Sequence, residues 1–354
     1  MTSISALWKI ISDSVLNSPR QPPSMVTIPI SHVEPRADLE EPFAAGNDYF
    51  EVRINQMFLR DNRQWLTQID PMVFVVSEFL YKGEKQTIPF VVGPSLLQQF
   101  GQPLPQGLII SNRTVAGLYP YRGSALTLSV VLSQIPVNDL ARKFLSFLEQ
   151  AAGALDFATA LSAYVKVGGV IMDGVEALFG LKGTEPLIAH QTTFNPGDPF
   201  SPGYFALIDA PNVKPETLWV RENQLLHGRD AASAAPYREA DFVLYSVVRA
   251  PDRKRTDVEQ LPFFEMWALV KSEAAKTKPG SWENAKASMS ALYQTMVISP
   301  DLTDGQVDQL YDEYVARMVR IHERALGIVA FGAEDEKPDP MAEIRRKALD
   351  IMKL

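Results

Sequence analysis

One stretch divides this chain into two kinds of pattern. From Asn138 to Leu181 the apolar residues recur at helical spacing, and between Asp156 and Asp173 only Lys166 carries a charge. Before it nearly everything alternates with the period of a β-strand; after it strands return briefly and helices follow. A chain patterned in this way belongs to the α+β class. The middle stretch is either a packed hinge between two domains or a surface-seeking helix that meets a membrane or a partner.

The alternating part sets the first expectation. Phe50, Val52, Ile54 and Phe58 fall at even positions between polar neighbours, and Leu126, Leu128, Val130 and Leu132 do the same. Met72 to Tyr81 and Thr87 to Val92 are apolar nearly throughout, and Lys82-Gly83-Glu84 between them is a hairpin turn. Leu108 to Tyr119 adds another strand. Turn signals at regular spacing predict an antiparallel β-sandwich over 25–137, C2-like or immunoglobulin-like by analogy of size. Tyr119-Pro-Tyr-Arg-Gly123 precedes a strong strand; Tyr119, Tyr121 and Arg122 either plug the end of the sandwich or offer a recognition surface.

From Asn138, a candidate N-cap with Asp139 in the first turn, the period is helical. Leu140, Phe144, Phe147, Leu148, Ala151 and Leu155 trace one apolar stripe, and Leu161, Val165, Gly168, Ile171, Val175 and Leu178 a second. Gly168-Gly169 should weaken or bend the helix. The expected shape is a helical hairpin or one kinked helix over 138–181. A proline-rich connector follows, enclosing an extended piece at Leu187 to Phe194. Tyr204 to Ile208, Thr217 to Val220 and Asp241 to Val248 then predict a small sheet. Helices complete an α+β domain over 182–332. Val258 to Lys276 forms the first, Ser281 caps the second, and Thr303 with Gln306 makes a capping box for the third. Arg249, Arg253, Lys254 and Arg255 read as a solvated basic turn.

Both ends carry amphipathic segments. In 1–24, Leu7, Trp8, Ile11 and Val15 share a face before Pro19, Pro22 and Pro23 break the pattern. In 333–354 an acidic linker leads to Met341, Ile344, Ala348, Ile351 and Met352 at helical spacing. A helix this short is marginal alone in water and must dock, on its own chain or on a partner. Leu7, Trp8, Ile11, Val15, Tyr119, Tyr121, Arg122, Met341, Ile344, Ile351 and Met352 are therefore the partner-binding candidates.

Composition narrows the function classes. The 354 residues suit two domains. The net charge of -8 gives no overall basic field for nucleic acid or anionic lipid. With no cysteine there are no disulfides, thiolate zinc sites or cysteine nucleophiles, as fits a reducing cytoplasm. His32, His190, His227 and His322 stand in no metal spacing, His322 with Glu323 reads as a solvated helix face, and the P-loop, Rossmann and nucleophile-elbow motifs are missing, so no cofactor, metal or catalytic residue is assigned. Asp301, Asp304, Asp308 and Asp312 fail the EF-hand pattern and read as an acidic helix face.

The resulting expectation is a non-catalytic protein-binding or scaffold component of a larger assembly or homo-oligomer, in the cytoplasm. A membrane-active protein using the low-charge helix 157–172 is the first alternative. An enzyme with a scattered carboxylate site, drawing on Asp209, Glu222, Asp241 and Glu259, is the second.

Overall fold

The structure, a computed structural model, describes residues 7–9, 11, 13, 23–35, 39, 41–60, 63–64, 67–81, 84–93, 108–136, 138–153, 161–195, 201–250, 253, 258–259 and 261–327. It is a mixed α+β chain whose strands form three largely antiparallel sheets. It divides into two compact units, Met1–Pro251 and Asp252–Leu354.

In the first unit the strands are β1 (Ser24–Thr27), β2 (Val33–Glu34), β3 (Tyr49–Phe58), β4 (Arg63–Gln64), β5 (Thr67–Tyr81), β6 (Glu84–Val92), β7 (Leu108–Pro120) and β8 (Leu126–Pro136). Helices α1 (Asp139–Gly153) and α2 (Leu161–Phe179) follow, then β9 (Glu185–Phe194), β10 (Gly203–Ile208), β11 (Leu218–Arg221), β12 (Gln224–His227), β13 (Ala235–Pro236) and β14 (Phe242–Ala250). One sheet runs β1-β10-β14-β3-β7. A second runs β4-β5-β8-β9, with β6 also paired to β5. The small third sheet runs β13-β12-β11-β2, where β2 lies parallel to β11.

Apolar side chains of the two larger sheets share one cluster. Val52, Ile54 and Met57 of β3, Phe205 of β10 and Tyr245 of β14 join Phe74 and Val76 of β5 and Leu128 and Val130 of β8. Ring contacts tie the sheets together: Phe50 of β3 meets Phe79 of β5, and Phe194 of β9 meets Phe205 of β10. Leu145 and Leu148 of α1 and Ile171, Val175 and Leu178 of α2 belong to the same cluster. The second sheet is therefore covered by helices as well as by a sheet, and a strand buried on both faces loses its alternation. That is why Met72 to Tyr81 is apolar nearly throughout. The opposite face of the first sheet meets the small sheet in a separate cluster that includes Ile28, Ile208, Phe242 and Leu244 with Val33, Leu218, Val220 and Leu225.

This topology redraws the domains expected from periodicity. The unit boundary follows Pro251, whereas the sequence pattern placed breaks at 137/138 and 181/182. β10 and β14 do not belong to a small sheet of their own. They sit inside the first sheet, with Ser24 opposite Ile208 and Phe58 opposite Phe242. β9, seemingly an isolated extended piece, is the partner of β8. The strands themselves stand where the alternation put them; their partners are remote in sequence, and a period of two carries no information about partners.

Local signals fare differently along the helices. Asn138 caps α1 as expected, its Oδ1 accepting the Ala141 amide at 2.9 Å. α2 continues through Gly168-Gly169. A Cβ at Gly168 would stand 3.3 Å from Pro89 Cδ, so this glycine lets the helix approach β6 closely. Strands β5 and β6 pair up to Tyr81 and Glu84, while Lys82 and Gly83 of the expected turn lie outside the described residues.

The second unit is helical where described: α3 (Phe264–Ala274), α4 (Ser281–Val297) and α5 (Asp304–Ala325). Trp267, Val270, Met289, Leu292, Leu310, Tyr314 and Met318 are among its buried side chains. Trp267 and Tyr314 stack with ring centroids 4.4 Å apart. Ser281 does not cap α4. Gly280, at φ 83°, occupies that place, and the Ser281 hydroxyl turns back to donate to the carbonyls of Lys276 and Lys278. Thr303 does cap α5, accepting the Gln306 amide at 3.2 Å. The expected reciprocal bond from the Gln306 side chain goes elsewhere.

Candidate functional site

The Gln306 amide clamps the backbone of Arg253. Its Oε1 accepts the Arg253 N–H at 3.2 Å and its Nε2 donates to the Arg253 carbonyl at 3.0 Å. The Arg253 side chain is buried too. Its Nε donates to the Asp301 carbonyl at 2.8 Å, and its guanidinium lies 3.8 Å from the Asp301 carboxylate. Arg253 is thus not part of a solvated turn, and Asp301 precedes α5 in a buried position rather than on its acidic face. A buried guanidinium is tolerated only when matched by carbonyls and a carboxylate, which Asp301 supplies together.

Beside this clamp lies a cleft of about 130 Å³ bordered by Glu259, Phe264, Gln309, Glu313 and Arg317. Arg317 pairs with Glu313 at 3.5 Å and lies over the Trp267 ring at 5.7 Å. The cleft is small against the several hundred Å³ common for ligand sites. Its wall carries charges of both signs, a pattern that suits structural pairing.

A second polar group occupies the first sheet. Glu51, Arg53 and Asn55 alternate with the core residues of β3. Arg53 donates twice to Glu51 at 2.9 Å, and the Thr114 hydroxyl also donates to Glu51. The hydrogen bond to Glu51 holds the Arg53 guanidinium above its ordinary pKa. Tyr204 and Asn55 both donate to Asn223 Oδ1, at 2.9 and 3.2 Å. Burial pushes the Tyr204 phenol upward, with Arg53 opposing it. These groups bond to one another across four elements and tie the sheet to the β11–β12 turn.

The four carboxylates of the enzyme alternative stand on different elements. Asp241 accepts the Arg60 amide at 2.7 Å and its carbonyl accepts the Asp209 amide at 2.8 Å. Glu222 lies in the β11–β12 turn at φ 50°, and Glu259 borders the cleft of the second unit. Among the described residues no group of three or more His, Asp or Glu side chains could hold a metal ion. The four histidines are dispersed. His32 stacks on Trp219 at 3.8 Å, His190 is held below its ordinary pKa by burial, and His227 pairs with Glu239 at 2.9 Å. His322 is not on a solvated face: it stacks on Trp282 at 4.3 Å and its Nδ1 meets the Ala274 carbonyl.

The partner-binding candidates divide by burial. Leu7 and Ile11 are buried in the large cluster and Trp8 packs against it half-buried. Tyr119 and Tyr121 are buried, with Tyr121 tied to Asp48 and Gly46 through its backbone, and Arg122 is exposed. Val15, Met341, Ile344, Ile351 and Met352 lie outside the described residues.

The apolar surface absent from the partner-binding candidates is the outer side of α1. Ala141, Leu145 and Leu148 turn inward. Leu140 remains 54% and Phe147 51% exposed, with Phe144 and Ala151 half-buried on the same line. The spacing of 140, 144, 147 and 151 alternates four and three residues, as in the seam of a coiled coil. Arg142 and Lys143 flank it; Arg142 reaches Asp70 at 3.7 Å, whose carboxyl burial holds above its ordinary pKa. The stripe read from sequence mixed the two sides, since Leu148 points in and Phe147 out. A helical period alone cannot say which of two adjacent apolar lines meets the core.

The class that these observations define is an α+β protein of interlaced antiparallel sheets with a separate helical unit. Comparison with protein-family models, curated proteins and solved structures finds no match.

Proposed function

We propose that this chain is a non-catalytic protein-binding or scaffold component of a larger assembly or homo-oligomer. The observation that carries this reading is the outward seam of α1. Leu140 and Phe147 stand seven residues apart, more than half exposed, on a helix whose inner side is already anchored in the core. An apolar line of this spacing is suited to receive a helix of a neighbouring subunit. A cytoplasmic setting fits the cysteine-free sequence. The first unit's architecture is proposed as an antiparallel β-sandwich closed over one cluster, supported by the Phe50–Phe79 and Phe194–Phe205 ring contacts.

The membrane alternative is weaker. In the low-charge run, Gly168, Ile171 and Met172 are buried at home, so releasing them would open the core. Among the described residues no helix is long and apolar enough to cross a membrane.

The test is light scattering of the full chain against Leu140→Glu/Phe147→Glu. A concentration-dependent oligomer in the wild type and a folded monomer in the variant support the proposal. A wild type that stays monomeric, with a variant indistinguishable from it, removes α1 as a self-association surface.

A further inference from the structure

Charges and unclaimed apolar side chains in the second unit fall into register. On α4, Tyr293 and Val297 stand one turn apart and Ile298 follows; Val297 is 47% and Ile298 62% exposed. The Tyr293 ring meets Tyr311 of α5 with centroids 4.6 Å apart. The short connection 298–303 makes the two helices antiparallel, so Val297 lies beside the turn of α5 that carries Asp308. Asp308 is exposed and Asp312 partly so. The helix dipole accounts for charge order only in the terminal turns, and Asp308 and Asp312 lie beyond the first of them.

We infer that residues 341–354 of this same chain dock, as an amphipathic helix, on the face formed by Tyr293, Val297, Ile298 and Tyr311. The segment carries four basic and two acidic side chains. At helical spacing Arg345 and Lys347 flank its Met341–Ile344–Ala348–Ile351 stripe, one on each side. A chain turning back from the end of α5 therefore brings its basic segment beside Asp308 and Asp312, on the side of that helix that carries Tyr311. The reach is sufficient. The stretch 328–340 spans up to about 43 Å when extended, and a helix the length of α5 is about 33 Å long. The segment thereby covers the apolar end of α4 and is itself stabilised by the contact, as a helix too short to persist alone requires.

The absence of cysteine makes the test direct. Val297→Cys/Ile344→Cys in the full chain is compared with Leu269→Cys/Ile344→Cys, Leu269 being exposed on α3. In a glutathione buffer the first pair should close to an intramolecular disulfide about tenfold faster or more, because docking raises the effective concentration. Asp308→Lys/Asp312→Lys in the first background should bring the rate down to that of the control. Equal rates in the two pairs overturn the inference. So do disulfides that join two molecules, which would assign the face to a second copy.

Discussion

The first unit is held together by pairings between remote residues, the second by contacts between helices that follow one another. β1 pairs with β10, Ser24 opposite Ile208, and β3 with β14, Phe58 opposite Phe242, so neither half of the first unit can complete its sheet alone. In the second unit, α3, α4 and α5 are joined by short connections and bury side chains against helices next to them in sequence. Sheets of high sequence separation are slow to assemble, whereas local helical contacts are fast. The difference teaches where each unit is vulnerable: the first to loss of any strand, the second to loss of a single large side chain or cap.

The sharpest way to break this comparison is to empty each core in turn. Trp267→Ala removes the ring stacked on Tyr314 and should cost the second unit about 3–5 kcal/mol. Ile54→Ala should cost the first about 2–5 kcal/mol. Urea unfolding followed by fluorescence and circular dichroism should show two transitions, each substitution lowering only its own. If both transitions move together in either variant, the units are not independent.

A smaller loss is expected at the clamp. Gln306→Ala strips two hydrogen bonds from the buried backbone of Arg253 and should lower the second transition by about 1–3 kcal/mol. An unchanged midpoint would mean that the clamp is replaced by solvent. Thr303→Ala removes the α5 cap and should cost about 1 kcal/mol in the same transition, while Thr303→Ser should restore most of it. The first transition should stay where it was in all three.

The smallest effect expected is one of pH on the first unit. Burial, with Glu239 adding to it and Arg60 opposing, pushes the Tyr237 phenol up to about 12 from an ordinary 10.0. The folded unit thus keeps this proton after the unfolded chain has lost it. The stabilisation is full below pH 10 and disappears as the pH rises through about 12. Tyr237→Phe should flatten the alkaline fall of the first transition. A slope identical to wild type would show that other groups cause it, Tyr245 among them, whose phenol burial also raises.

How much was legible in the sequence follows the same divide. The β3 and β8 alternations, the Asn138 cap and the Thr303 cap depend on residues within a few positions of each other, and each stands in the structure as read. The Gln306 side chain, Arg253 and His322 were misplaced because their partners are distant: a backbone 53 residues away, the Asp301 carbonyl, and the Trp282 ring with the Ala274 carbonyl. The α1 seam was half legible. Its residues were visible, but not which line faced out.

By itself, then, the chain's order of residues determined the α+β class, the place of most elements and the caps of α1 and α5, because periodicity and capping act within a few residues. Tertiary structure alone decided that β9, β10 and β14 complete sheets begun before α1, that the boundary falls after Pro251, and that Leu140 and Phe147 face outward. The physical reason is that an alternating strand presents the same edge to every partner; only the competition to bury the shared cluster selects among them.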